Sequence, residues 1–258
     1  MDNLLDLLTT QDPPTHVVSV VSGGLDSTTM AFALHALGAR LTLVSFDYQQ
    51  RHRKELAAAR AIATRLDADH EVIDLGQLGA LLSGCALTDA SVEVPEGHYT
   101  DASMRSTVVP NRNAIMLDIA TGIAIARGAD AIAFGAHGGD YAVYPDCRPA
   151  FVDAYATMVA TANAGFLPTN FRVLAPFLLM SKAEIVRQGS WLGVPFELTW
   201  SCYNGQEVHC GLCGTCVERR LAFELADLPD PTTYADPDAP ATQDACAVGN
   251  GGELDVTR

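Results

Sequence analysis

One six-residue stretch of the chain, Ser22-Gly23-Gly24-Leu25-Asp26-Ser27, combines two glycines with two hydroxyl side chains and a carboxylate. The valine-rich run at residues 17–21 predicts a buried strand before it, and the following segment predicts a helix that ends at Gly38. A turn between a strand and a helix offers unpaired N–H groups and the positive end of the helix dipole to an anion. Because the chain has no Walker lysine motif and no G-x-G-x-x-G stretch after a strand, the turn indicates a phosphate site of another kind. An ordinary tight turn is the alternative.

Four of the seven cysteines lie close together in the sequence; they are Cys202, Cys210, Cys213 and Cys216. Four thiolates at this spacing suit tetrahedral Zn²⁺, whereas an odd cysteine total argues against a disulfide framework. Free structural thiols are the alternative. Because four cysteines leave no open position for water, the predicted zinc stabilises the C-terminal segment and does not activate a nucleophile.

Predicted strands alternate with predicted helices along most of the chain, which is typical of a parallel sheet with right-handed crossovers. The predicted strands are residues 17–21, 41–46, 71–75, 131–134 and 173–177. Polar clusters follow the first, second and fourth of them, at residues 22–27, 46–53 and 135–148. Since ligands of such sheets bind beyond the carboxyl ends of the strands, we expect these clusters to meet in one crevice.

The expected fold class is α/β, with an open, doubly wound, parallel five-stranded sheet followed by a zinc-binding segment. We predict an N-terminal extension at residues 1–15, a nucleotide-binding domain at 16–200 and the zinc-binding segment with a last helix at 201–228. Residues 229–258 are rich in Pro, Asp, Thr and Gly and poor in aliphatic residues, which predicts a mostly disordered tail.

The composition excludes several classes of protein. The 258 residues carry a formal net charge of −15, which disfavours binding to the phosphate backbone of a nucleic acid. No run approaches the roughly 18 apolar residues of a membrane span. Residues 1–14 lack the basic start and apolar stretch of a secretory signal, so we expect a cytoplasmic protein.

The Ser22–Ser27 stretch resembles the SGGxDS pyrophosphate loop (PP-loop) of the ATP pyrophosphatase superfamily. Further motifs occur in the order found in the 7-cyano-7-deazaguanine synthase family, and the similarity covers roughly residues 16–228. These motifs are Phe46-Asp47-Tyr48 with Gln50-Arg51-His52-Arg53, Val109-Pro110-Asn111-Arg112-Asn113, Tyr144-Pro145-Asp146-Cys147-Arg148 and Ser201-Cys202-Tyr203-Asn204-Gly205.

The resemblance implies an adenine nucleotide alpha-hydrolase-like fold and an ATP-dependent ligase of the queuosine precursor pathway. That family converts 7-carboxy-7-deazaguanine and ammonia into a nitrile, through an adenylated acid and then an adenylated amide. ATP is the co-substrate, Mg²⁺ accompanies it near Asp26, and zinc is structural. A homodimer is a further implication.

The resemblance also implies which residues form the site. ATP contacts are expected from Val21, Ser22, Gly23, Gly24, Leu25, Asp26, Ser27, Thr28, Thr29, Met30 and Ala31, with Phe46 beside the adenine. Substrate contacts are expected from Tyr48, Arg51, His52, Tyr144, Asp146 and Arg148. The expected catalytic residues are Asp26, Ser27, Arg112 and Lys182, where Arg112 holds a carboxylate or phosphate and Lys182 reaches a phosphate. Each assignment has an alternative without function. Lys182 would be a solvated lysine at the start of a helix, residues 51–53 a surface run, and residues 144–146 a plain turn.

Two residues depart from the family motifs, since Gln49 and Asn111 stand where the family usually has glycine. Asparagine tolerates a left-handed backbone, whereas Gln49 is expected to add a side chain near the site.

Other functions also fit a PP-loop. They are sulfur transfer to tRNA through a thiol such as Cys147 or Cys85, a diverged ligase that stops at the amide, and a nucleotide-binding module without turnover.

Overall fold

The computed structural model describes residues 4–8, 12–82, 84–97, 105–140 and 144–237. Its sheet has five parallel strands in the order β3-β2-β1-β4-β5. The strands are β1 (His16–Val20), β2 (Arg40–Asp47), β3 (Asp69–Asp74), β4 (Ala131–Ala133) and β5 (Arg172–Leu174). The α-helices of the described residues are α1 (Leu4–Leu8), α2 (Leu25–Ala36), α3 (Lys54–Arg65), α4 (Gly76–Leu81), α5 (Arg112–Arg127), α6 (Pro149–Ala162), α7 (Lys182–Trp191) and α8 (Gly214–Ala226).

Both faces of the sheet are covered, which explains why its central strands are continuous apolar runs. Val17 packs into a core with Met30 of α2 and Ile185 of α7. Its neighbour Val18 points to the opposite face and packs with Leu117 of α5. The predicted doubly wound α/β fold is therefore confirmed, and the predicted strands differ from the observed ones only at their ends.

The direction of winding reverses at the centre of the sheet. The chain runs outward from β1 through β2 to β3, then returns through α5 to β4 on the other side of β1. In such sheets the crevice at the reversal, beyond the carboxyl ends of the strands, is where ligands bind. The Ser22–Ser27 turn follows β1 at this point, and Gly135 follows β4.

Both ends of the described chain pack against the domain. Within the predicted N-terminal extension, Leu4 and Leu8 of α1 are buried in the core. At the start of the predicted tail, the Tyr234 hydroxyl donates to Asp230 (2.6 Å), and the Ala235 N–H donates to the carbonyl of His209 (2.8 Å). The rest of that tail, from residue 238, lies outside the described residues. None of the described helices is both long and apolar enough to cross a membrane.

The two departures from the family motifs both have left-handed backbones. Gln49 has φ 61° and Asn111, at the start of α5, has φ 57°. Glycine adopts this region without steric cost, which accounts for its use at both positions in the family motifs. The Gln49 Nε2 lies 2.7 Å from where a Cβ on Gly76 would be. The Gln49 side chain thus lies over the start of α4 and, contrary to expectation, is not among the residues that line the cleft described below.

Replacing Gln49 by glycine is expected to stabilise the protein by up to about 1 kcal/mol, because the left-handed conformation costs a non-glycine residue about that much. Urea denaturation measures the change. Gln188→Gly, the same substitution inside α7, is the control and should cost roughly 1 kcal/mol. A loss of stability in Gln49→Gly would show that the backbone strain is not the dominant effect at residue 49.

Candidate active site

A cleft of about 250 Å³ opens at the carboxyl ends of β1, β2 and β4. The three polar clusters meet there, as predicted. The N-terminus of α5 and the segment around the four cysteines (residues 200–216, the cysteine segment) complete the walls. The sequence-predicted residues that line the cleft are Val21, Ser22, Gly24, Leu25, Asp26, Ser27, Phe46, Tyr48, His52, Arg112, Tyr144 and Lys182. Lining residues that the sequence analysis did not single out for the site include Glu55, Asn113, His137, Trp200, Tyr203 and Glu218.

The Ser22–Ser27 turn is held open toward the cleft by its own hydrogen bonds. The Ser22 and Ser27 hydroxyls are 3.2 Å apart, and the Gly24 N–H donates to the Ser22 hydroxyl (3.2 Å). Gly23 has φ 89°, and a Cβ there would lie 2.3 Å from the carbonyl oxygen of Glu55. The first turn of α3 therefore packs directly on the glycine, and no larger residue fits. The result is a set of hydroxyl and N–H groups at the N-terminus of α2, which suits a phosphate anion.

Lys182 provides the positive charge at this end of the cleft. Its Nζ lies 2.7 Å from Glu218 Oε2 and 3.4 Å from Asp26 Oδ2. A capping box formed by Ser181 and Glu184 starts α7 and fixes the position of Lys182. The other oxygen of Asp26, Oδ1, is buried without a hydrogen-bond partner among the described residues. A carboxylate oxygen of this kind is a ligand that Mg²⁺ prefers, so the turn fits the implied cation.

The opposite side of the cleft, where α5 begins, contains the half-buried Arg112 with its guanidinium. It is hydrogen-bonded to Tyr48 and lies near Tyr144 and Tyr203. Burial raises the pKa of Tyr48 to about 12, so this phenol stays protonated beside the cation. A guanidinium in such a place offers two parallel donors to a planar anion such as a carboxylate.

A carboxyl and an imidazole lie beside Arg112. His52 Nε2 is 3.3 Å from Glu55 Oε2, and the Gln50 amide donates to Glu55 Oε1 (2.8 Å). Burial raises the pKa of Glu55 to about 7. Burial, with the nearby charges of Arg112 and Arg51, lowers the pKa of His52 to about 3. The His52 imidazole is therefore neutral at physiological pH, whereas the Glu55 carboxyl gains or loses its proton close to that pH.

Several predicted site residues lie elsewhere in the described structure. Arg51 turns away from the cleft, and its guanidinium donates to the carbonyls of Asp89 (3.1 Å) and Val92 (2.9 Å). The cleft lining also does not include Gly23, Thr28, Thr29, Met30, Ala31, Asp146 or Arg148. The four residues 28–31 are buried inside α2, so only the first turn of that helix reaches the cleft.

The four clustered cysteines are all buried, and their sulfur atoms lie within 4.8 Å of one another. The Sγ atoms of Cys210 and Cys216 are 3.9 Å apart, close to the roughly 3.8 Å expected between thiolates on one tetrahedral zinc. The cluster is therefore compatible with a closed zinc site. Trp200 links the cysteine cluster to the Ser22–Ser27 turn, hereafter the phosphate turn. The Trp200 indole donates to the Cys202 carbonyl (2.8 Å), and its backbone N–H donates to the Gly23 carbonyl (2.9 Å).

Comparisons with known proteins identify relatives that match most of this chain. A 7-cyano-7-deazaguanine synthase from Allorhizobium ampelinum is 54% identical over 222 residues, which are 86% of this chain and 93% of that relative. A 7-cyano-7-deazaguanine synthase from Ruegeria pomeroyi is 55% identical over 219 residues, 85% of this chain and 94% of that relative.

Among solved structures, an NMN synthetase from Francisella tularensis superposes with a TM-score of 0.50 at 13% identity, over 88% of this chain and 84% of that one, which supports the fold. The family described as "Queuosine biosynthesis protein QueC" matches residues 16–227. On the family match and the identity to these relatives, the chain belongs to the QueC family.

Proposed function

We propose that this protein is an ATP-dependent ligase that converts 7-carboxy-7-deazaguanine and ammonia into 7-cyano-7-deazaguanine, a queuosine precursor. The observation that carries the proposal is that one cleft is lined both by the Ser22–Ser27 turn and, on its opposite side, by Arg112. A site of this form matches the reaction, which must bring a carboxylate to the α-phosphate of ATP.

The two ends of the cleft divide the binding between them. The ATP phosphates bind at the Ser22–Ser27 turn, with Lys182 on the departing pyrophosphate, and Phe46 borders the adenine. The carboxylate of the substrate binds at Arg112, and Tyr48 and Tyr144 enclose the ring. Asp26 Oδ1 would hold Mg²⁺, which supplies charge neutralisation to the phosphates when it is bound.

Two adenylations account for the need for ATP. A carboxylate has no good leaving group, so its oxygen first attacks the α-phosphate and pyrophosphate departs. Ammonia then displaces AMP to give the amide. The amide oxygen is adenylated in turn, and loss of AMP leaves the nitrile. No covalent link to the enzyme is required. The proposal includes zinc at the four cysteines, a cytoplasmic location and a homodimer.

The test is to incubate the zinc-loaded protein with ATP, Mg²⁺, ammonium and 7-carboxy-7-deazaguanine, and to follow AMP and product mass together. We expect two AMP for each nitrile formed. Product mass that stops at the amide would identify a diverged ligase, and AMP without any change in the deazaguanine would indicate another acceptor, such as tRNA. ATP binding without AMP release would identify a non-catalytic module and contradict the proposal.

A further inference from the structure

The proposed reaction needs a base as well as an activating nucleotide. Ammonia that attacks an acyl adenylate acquires a positive charge on nitrogen and must lose a proton to become an amide. We infer that the Glu55 carboxylate is the general base that takes this proton, and that Gln50 and His52 are its positioning residues. The inference rests on the proposed function.

The position of Glu55 places it between the two ends of the cleft. Glu55 belongs to the first turn of α3. Its backbone carbonyl oxygen lies where it would touch a Cβ on Gly23 of the phosphate turn. Its side chain lines the cleft and lies close enough to Arg112 to feel its charge. The acyl–phosphate bond must form between the phosphate turn and Arg112. Glu55 therefore borders the place where the reacting carbon is expected.

The carboxyl is fixed in orientation by a fully engaged amide. The Gln50 Nε2 donates both to Glu55 Oε1 (2.8 Å) and to the Phe46 carbonyl (2.9 Å), and the Gln50 Oε1 accepts from the Tyr48 N–H (2.9 Å). Gln50 thus ties Glu55 to the end of β2. His52 lies against the other oxygen. The Glu55 side chain retains 12% exposure, which is the part that lines the cleft.

The other carboxylates that line the cleft in the described structure each have one oxygen beside a lysine. Asp26 and Glu218 both lie beside Lys182 at the phosphate turn. Lys54, which precedes Glu55 in the sequence, directs its ammonium to Glu207 (2.8 Å), and the cation near the Glu55 carboxyl is Arg112. Its neighbours His52 and Tyr48 are neutral near pH 7. The pKa of Glu55, which burial raises to about 7, is matched to proton transfer at that pH.

The step balances without any further reactant. The nitrogen lone pair forms the new bond to the carbonyl carbon, the C–O bond to AMP breaks, and its electron pair leaves on the AMP oxygen. One N–H proton moves to Glu55. Glu55 returns this proton to solvent before the second round. The O-adenylated amide then carries a C=NH2⁺ group, which loses two N–H protons, one to solvent and one to Glu55. The C–O bond to AMP breaks with its electron pair on the AMP oxygen, and the C≡N bond is completed.

The experiment compares wild type with Glu55→Gln in three assays. Exchange of labelled pyrophosphate into ATP, with the acid present, measures adenylation alone and should stay within about threefold of wild type. Turnover with ammonia should fall by about 10²–10³-fold, in the range of a lost general base. Turnover with hydroxylamine, a stronger nucleophile, should fall by less than tenfold. Retained exchange also shows that the variant is folded.

The pH dependence gives a second readout. Ammonia-dependent kcat of the wild type should decline as pH falls through about 7, because Glu55 becomes protonated, and Glu55→Gln should lack this dependence. Glu71→Gln, at an exposed ion pair with Arg127, is the control and should behave as wild type.

Two results would overturn the inference. Equal losses with ammonia and hydroxylamine would show that Glu55 does not assist the nucleophile. A rise in KM for the acid with unchanged kcat would assign Glu55 to recognition of the ring. If wild type itself shows no exchange, the proposed function fails, and this inference fails with it.

Discussion

Cys213→Ser is expected to lose bound zinc and to melt on the order of 10 °C or more below the wild type. Zinc in a closed cysteine site supplies folding free energy, of order 10 kcal/mol in small zinc modules, and a weakened site forfeits a large part of it. For a chain of this size, each kcal/mol lowers the melting temperature by about 2–4 °C. Metal analysis of the purified protein and a thermal melt measure the two effects.

The same substitution should weaken ATP binding, although no cysteine of the cluster lines the phosphate turn. Trp200 donates its indole hydrogen to the Cys202 carbonyl and its backbone N–H to the Gly23 carbonyl, so the cysteine segment supports the turn directly. We therefore expect a raised KM for ATP in whatever folded protein remains.

Cys246→Ser is the matched control for the cluster, because Cys246 lies outside it in the sequence and outside the described residues. This variant should keep one zinc per chain and the wild-type melting temperature. Full zinc content in Cys213→Ser, or an unchanged melt after zinc loss, would contradict a stabilising four-cysteine site.

The features that could be predicted from sequence are those whose residues lie in one short stretch. The phosphate turn depends on a strand, two glycines and a helix start in immediate succession, and the cysteine cluster depends on spacing alone. The alternating pattern of strands and helices likewise predicted the doubly wound sheet, and the rule that ligands bind beyond its strand ends predicted the crevice.

Features that depend on packing between distant elements were missed. Glu218 reaches Lys182 only because α8 packs against α7, and Trp200 reaches Gly23 only because the cysteine segment folds back over the turn. Arg51 points away because its guanidinium finds two carbonyls in the irregular region after β3, which no local pattern encodes. For Glu55 a signal was present in the sequence, since His52 and Glu55 stand three residues apart where α3 begins, a spacing that brings the two side chains together.

Lys182→Met is expected to lower the rate of adenylation by about 10²–10³-fold, the usual cost of removing one group that stabilises developing charge in a transition state. Lys182 lies beside Asp26 of the phosphate turn, where pyrophosphate acquires negative charge as it departs. Because the charge develops in the transition state, the loss should appear mainly in kcat. Exchange of labelled pyrophosphate into ATP is the direct measurement.

The chain provides its own control, since its only other lysine is Lys54. Lys54 pairs with the exposed Glu207 (2.8 Å) and lies over the Trp200 ring, and it does not line the cleft. Lys54→Met removes the same charge from the protein, so any effect of net charge on ATP binding is common to both variants. A specific role requires a large loss in Lys182→Met alone, with partial activity in Lys182→Arg. Similar rates in the two methionine variants would reduce Lys182 to an ion-pair partner of Glu218, and the charge on the departing pyrophosphate would then be stabilised by the N–H and hydroxyl groups of the turn.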